Sequence, residues 1–213
     1  MMPYQPVLPP TRADEPEDPD TEPKSDKAAA PVNEIESRLL KLRKVMIFGQ
    51  INDKLALDVV SRLLALVGEG DGPIDVFINS PGGHVESGDS IHDMIRFLRD
   101  SVTIRVVGTG WVASAGAHIF LAGAKENRFC LPNTRFLLHQ PMGGVRGPAV
   151  DIGIEAREII KMRERLNKII AEETGQPLEK VTVDTDRNYW MSAEEAKAYG
   201  MVAKILTSIT ELT

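Results

Sequence analysis

Short β-branched segments alternate with amphipathic segments along most of the chain, and this alternation restricts the fold more than any other feature. Residues 74–78 (IDVFI) predict a buried strand, whereas residues 53–67 and 86–98 carry apolar side chains at helical spacing. Asp53 is predicted to cap the first of these helices. Glycine and proline turns separate the segments. A repeated strand-then-helix order is typical of an α/β fold with helices packed on a sheet.

The same patterns predict the remaining elements. We expect helices at 34–42 and 115–124, strands at 45–48, 102–107, 128–131, 135–139 and 202–206, and a short helix that begins at the capping box of Ser192 and ends at Gly200. A 26-residue helix is predicted over 149–174. At 1.5 Å per residue it would be about 39 Å long, which exceeds what a domain of this size needs. We therefore expect this helix to contact another subunit.

The first 32 residues differ in composition from the rest of the chain. They contain eight of the fourteen prolines and seven acidic residues against three basic ones. Such a segment buries too little apolar surface to offset the entropy of ordering it. We predict a disordered acidic tail at 1–32 and one globular domain at 33–213.

Composition and motifs exclude several classes of function. No apolar run approaches the roughly 20 residues of a membrane span, and the net charge of −6 argues against nucleic-acid binding. The chain starts without a secretory signal pattern and has a single cysteine, Cys130, so we expect a cytoplasmic protein. It lacks a Walker A motif and metal-ligand spacing, so we expect neither ATP hydrolysis nor a metal or cofactor in this chain.

Three segments could together supply hydrolytic chemistry. The turn Ser80-Pro-Gly-Gly83 follows a predicted strand and leaves backbone N–H groups unshielded, which suits an oxyanion. Ser114 lies between a predicted strand and a buried helix, a position that resembles a nucleophile elbow. Taken alone, however, it is better interpreted as the N-cap of that helix. His139 ends an apolar strand, where a general base or a structural histidine would both fit. Together these segments suggest a nucleophile, a base and an oxyanion hole.

Five motifs in order, SPGG, ASAG, RFCLPN, LLHQPMGG and MSAEEAKAYG, resemble those of the ClpP family, the proteolytic subunits of the ATP-dependent Clp protease. The resemblance covers about residues 35–206. It implies the ClpP/crotonase α/β fold of repeated ββα units with a projecting handle helix, here 149–174. It also implies a serine endopeptidase of protein quality control that degrades unfolded proteins to short peptides. Members form two stacked seven-membered rings and receive substrates from an AAA+ unfoldase such as ClpX or ClpA, which uses the ATP.

The resemblance also assigns roles to individual residues. Ser114 matches the nucleophile and His139 the general base, while Gly83 and the N–H of Ala115 match the oxyanion hole. The third triad position, an aspartate in the family, is matched here by Asn188. An amide oxygen accepts the N–H of the imidazole but carries no charge to stabilise the imidazolium. Asp184 or Asp186 could take the role instead, although in an extended segment Asp186 would lie roughly 6 to 7 Å from Asn188.

Two alternative functions remain open at this point. The chain could be a weakly active or inactive ring subunit that assembles with a ClpP paralogue, since Asn188 replaces the aspartate. It could also be an acyl-CoA enzyme of the crotonase branch, which would need no serine nucleophile. Outside the site, we expect Cys130 to be a buried packing residue and His118 a core histidine with its hydrogen bonds satisfied. His84 is expected to line the substrate cleft.

Overall fold

A computed structural model describes residues 30–144 and 146–212, so most of the predicted tail at 1–32 lies outside the described residues. The helices are α1 (Ala30–Lys41), α2 (Asp53–Glu69), α3 (Val85–Leu98), α4 (Ala115–Phe120), α5 (Ala149–Thr174), α6 (Leu178–Asp184) and α7 (Ala193–Tyr199). The strands are β1 (Lys44–Phe48), β2 (Ile74–Ser80), β3 (Ile104–Ala113), β4 (Arg128–Cys130), β5 (Arg135–Leu138), β6 (Tyr189–Met191) and β7 (Lys204–Ile205). The α/β prediction is confirmed.

The sheet is mostly parallel and divides at its central strand. Strands β1, β2, β3, β4 and β7 run side by side in that order, each parallel to its neighbour. The first half of β3 pairs with β4, whereas its last residues pair with β5, and β6 then adds to β5 in antiparallel orientation. Strand β3 therefore connects the five-stranded part of the sheet to the pair formed by β5 and β6.

The predicted end of β3 at Val107 is wrong, because the strand continues to Ala113. Two glycines that were interpreted as a strand end lie inside it. A Cβ on Gly108 would lie 3.0 Å from Val112, and Gly110 has a φ of 62° with Asn79 closely packed against it. These positions need glycine for close packing and backbone conformation, and the strand runs through them.

Most helix boundaries agree with the sequence patterns. Helix α5 spans the predicted residues, and Ser192 forms the predicted capping box with Glu195. Three expectations need correction. The cap of α2 is Asn52, whose side chain accepts the Leu55 N–H, so Asp53 is the first helical residue. Helix α4 ends at Phe120 instead of residue 124, and the short elements α6 and β6 were not predicted.

Helix α5 packs on the domain only through its C-terminal half. Its buried residues are Asn167, Ile170 and Glu173, whereas apolar side chains in its first half are exposed, including Val150 at 74% and Ile160 at 56%. This distribution agrees with the expectation that the helix has surface available for another subunit. Among residues 30–144 and 146–212, no helix has the length and apolar character needed to cross a membrane.

Candidate active site

Ser114 lies between β3 and α4 in a backbone conformation that few non-glycine residues adopt. Its φ is 55° and its ψ is −121°. Such conformations persist only where the surroundings impose them, and they are common at functional sites. Ser114 occupies the N-cap position of α4, but its hydroxyl makes no capping hydrogen bond and the side chain is half-buried. The sharp strand-to-helix turn thus leaves the hydroxyl available, as in a nucleophile elbow.

His139 reaches the same place because β5 runs parallel to the end of β3. Ala113 pairs with Leu137, and the Ser114 N–H donates to the Leu137 carbonyl at 2.9 Å. The carboxyl ends of the two strands therefore meet, and Ser114 and His139 line one pocket. Burial lowers the pKa of His139 from its ordinary value. The imidazole is consequently neutral near pH 7, which is the form a general base requires.

Asn188 is brought to His139 by the antiparallel pair of β5 and β6. Leu138 pairs with Tyr189, so the next residue of each strand, His139 and Asn188, continues the same register. Directly opposed residues of an antiparallel pair have Cβ atoms about 4.5 to 5.5 Å apart. The two side chains also line a common cleft. Strand β6, which the sequence did not predict, is therefore the element that positions Asn188.

The two aspartates that could have replaced Asn188 have other partners. Asp184 ends α6 and accepts hydrogen bonds from the Tyr199 hydroxyl at 2.8 Å and from Lys180 Nζ at 2.6 Å. The carboxylate of Asp186 accepts from Arg163 Nη2 at 3.2 Å. The segment before β6 is not extended, because a helix end and a turn precede this strand.

The glycine turn after β2 passes directly against the serine. A Cβ on Gly82 would lie 2.6 Å from Ser114 Cβ, and the turn is held by Ile51, whose N–H donates to the Gly82 carbonyl at 2.9 Å. Within the described part of the chain, neither the Gly83 N–H nor the Ala115 N–H has an acceptor. Two free donors thus flank the Ser114 position. The importance of Gly82 was missed, since the sequence does not show how closely the turn approaches Ser114.

The side chains of the predicted triad line adjoining pockets but are not joined to one another. Across residues 30–144 and 146–212, no hydrogen bond connects the side chains of Ser114, His139 and Asn188. Catalytic hydrogen bonds are often long without substrate and tighten when it binds. Residues 30–144 and 146–212 also contain no cluster of three or more histidine, cysteine or acidic side chains that could bind a metal ion.

Four polar side chains form a cluster behind the serine, and only one of them, His118, was named in the sequence analysis. Asp89 of α3 accepts two hydrogen bonds from Arg165 of α5, at 3.0 and 2.6 Å, and lies 2.9 Å from His118 Nε2. The rings of His118 and His92 stack at 4.0 Å between centroids. Although burial alone would raise it, the pKa of Asp89 is held well below its usual range by its hydrogen bonds to His118 and Arg165. The carboxylate is therefore ionised.

Of the remaining expectations about single residues, the one for Cys130 is confirmed, whereas those for His118 and His84 are not. Cys130 is fully buried, and burial raises the pKa of its thiol to about 12, so it is a packing residue as predicted. His118 has a hydrogen bond at Nε2 only, because its Nδ1 has no partner among residues 30–144 and 146–212. His84 hydrogen-bonds the Ser87 hydroxyl at 2.7 Å and lies outside the pocket that contains Ser114.

Comparisons with known proteins show which family this chain is similar to. The family model described as Clp protease matches residues 27–209. The chain is 67% identical to the ATP-dependent Clp protease proteolytic subunit 2 of Gluconobacter oxydans, covering 95% of this chain and 93% of the relative. It is 56% identical to proteolytic subunit 2 of Pseudomonas aeruginosa, covering 82% and 86%. An asparagine-to-aspartate mutant of ClpP1 from Listeria monocytogenes has a similar structure, with a TM-score of 0.78, 53% identity, and coverage of 84% of this chain and 99% of that one.

Proposed function

The chain belongs to the Clp protease family, and from this premise we propose that Ser114 and His139 perform its peptide-bond hydrolysis. It is a serine endopeptidase, the proteolytic subunit of an ATP-dependent Clp protease. It has the ClpP/crotonase α/β fold. The observation that carries the assignment is the parallel pairing of β3 with β5, which brings Ser114, the residue after β3, and His139, the residue after β5, to one pocket.

Each step of the reaction has a residue suited to it. Ser114 Oγ attacks the carbonyl carbon of the scissile bond while the neutral His139 ring accepts its proton. The N–H groups of Gly83 and Ala115 donate to the oxyanion that develops on the carbonyl oxygen. His139 then returns the proton to the leaving amine, and water repeats the cycle on the acyl enzyme. The amide oxygen of Asn188 accepts the other imidazole N–H and holds the required tautomer.

The assembly and its partners are part of the same proposal. The exposed apolar side chains of α5 supply the contact between two stacked heptameric rings. An AAA+ unfoldase such as ClpX or ClpA delivers unfolded proteins and uses ATP, while this chain works without a cofactor. An acyl-CoA activity is not favoured, because the relatives are named as proteolytic subunits. An inactive ring subunit is not favoured for the same reason.

The proposal is tested by peptide hydrolysis with the assembled oligomer. The native protein should release the fluorophore from a short peptide substrate, and Ser114→Ala should reduce turnover by about 1000-fold or more. The matched control is Ser61→Ala, because Ser61 is an exposed serine whose hydroxyl only donates to the Leu57 carbonyl within α2. Native mass spectrometry of each variant would verify that rings form. Full activity of Ser114→Ala in intact rings would contradict the assignment.

A further inference from the structure

The pocket beside Ser114 is mostly apolar, but two buried polar side chains contribute to its wall. Its apolar lining includes Val85, Leu138, Pro141, Leu166 and Ile170. Besides Ser114 and His139, its polar lining residues are His118, which is 6% exposed, and Asn167, which is 4% exposed. If Ser114 is the nucleophile, as proposed above, this pocket receives the substrate side chain that precedes the scissile bond, the P1 side chain.

His118 has one ring nitrogen engaged and one free. Its Nε2 lies 2.9 Å from the carboxylate of Asp89, which only accepts hydrogen bonds, so Nε2 carries the proton. Arg165 holds that carboxylate in place through two hydrogen bonds. In the neutral ring, Nδ1 is therefore an acceptor, and this buried atom has no partner in the described part of the chain. Asp89 is a positioning residue that fixes the tautomer and orientation of His118.

Asn167 presents the complementary group. Its side-chain oxygen accepts a hydrogen bond from the Thr185 hydroxyl at 2.9 Å, which orients the amide. Its NH2 group has no acceptor among residues 30–144 and 146–212. Two polar side chains thus lie in the pocket wall among apolar ones, His118 with a buried acceptor that is unpartnered in the described part of the chain and Asn167 with an NH2 group that has no acceptor there. Buried groups of this kind discriminate strongly against a ligand that cannot satisfy them.

We propose that His118 and Asn167 determine substrate specificity by selecting P1 side chains that end in a group able both to donate and to accept a hydrogen bond. An amide, as in glutamine, and a phenol, as in tyrosine, both have this chemistry. Methionine and phenylalanine have similar size and lack it. The expected preference in kcat/KM is about 10- to 100-fold for glutamine over methionine and for tyrosine over phenylalanine.

The test uses four peptides that differ only at P1, hydrolysed by the full-length assembled oligomer. His118→Phe keeps a ring of similar size but removes the acceptor, so both ratios should fall towards one. The matched control is His92→Phe, because His92 stacks on His118 but does not line the pocket. This control should leave both ratios unchanged. Asp89→Asn should lower both ratios several-fold, a change of selectivity that general destabilisation would not produce.

If a variant fails to assemble, the P1 ratios of the native protein still test the specificity proposal. A flat P1 profile, with native ratios below about two, would overturn the specificity proposal and indicate that water satisfies His118 Nδ1. If that flat profile accompanies efficient cleavage and fluorophosphonate labelling of Ser114, the proposed function stands and only this inference fails. Absence of both cleavage and labelling would overturn the two together.

Discussion

Replacing Asn188 with aspartate tests the electrostatic part of the mechanism. The register of β5 and β6 puts residue 188 opposite His139, so Asn188→Asp adds a carboxylate beside the imidazolium that forms during attack. Two opposite charges about 4 Å apart attract by about 4 kcal/mol at an effective dielectric constant of 20, and by about 1 kcal/mol in bulk water. Asn188 is exposed in the isolated chain, so the true value lies between these limits. Turnover should therefore rise about 5- to 1000-fold.

The assay is peptide hydrolysis by the assembled oligomer across the pH range. Burial lowers the pKa of His139 in the native protein, whereas a neighbouring carboxylate favours the protonated ring and raises that pKa. Because the base must be neutral, the acid limb of the kcat profile should move to higher pH in Asn188→Asp. The control Asp186→Asn should leave both kcat and the limb unchanged, since that carboxylate bonds Arg163.

Two outcomes would refute this reasoning. If kcat and the acid limb of Asn188→Asp equal those of the native protein in intact rings, residue 188 does not contact His139 in the active state. If Asp186→Asn removes activity instead, Asp186 completes the triad after a rearrangement of the segment before β6.

The remaining predictions concern glycine packing, a buried histidine and a buried ion pair. Gly82 has a φ of 98°, and Gly82→Ala places a Cβ against Ser114. This variant should lower kcat/KM by about 100-fold while the rings remain assembled. Near-native activity would contradict the close approach of Gly82 to Ser114. Burial, together with neighbouring charges, lowers the pKa of His92 from 6.5 to about 4, so the unfolded state takes up a proton first as the pH falls. Urea unfolding should show about 2 kcal/mol less stability at pH 5 than at pH 7 from this residue, a difference that His92→Phe should remove. Arg128→Met leaves Glu173 without its fully buried partner and should cost about 3 to 5 kcal/mol in the same assay; a loss below 1 kcal/mol would refute that role.

Local sequence patterns were sufficient to predict most of the fold. Both ends of helix α5 match the prediction because turn residues flank a long apolar repeat on each side. The capping box of Ser192 is by itself a sequence signal for a helix start. The continuation of β3 could not be predicted in this way. Its glycines are required by contacts with Val112 and Asn79, and those contacts exist only in the folded sheet.

The candidate site was predictable only where a motif marks it. Ser114 and His139 stand in recognisable motifs, but their proximity follows from the parallel pairing of β3 and β5. Asp89 and Arg165 carried no signal, since they are 76 residues apart and meet only where α3 and α5 pack near α4. His118 Nδ1, which has no partner in the described part of the chain, likewise depends on that packing, because Asp89 engages the opposite nitrogen.

Covalent labelling of Ser114 is the most direct test of the account. The assembled protein is exposed to a fluorophosphonate, and its intact mass is measured beside those of Ser114→Ala and His139→Ala. We predict one adduct per chain in the native protein, none in Ser114→Ala, and much slower labelling in His139→Ala because the hydroxyl then lacks its base. An unlabelled native protein in intact rings, or an adduct that persists in Ser114→Ala, would contradict the claim that Ser114 is the nucleophile.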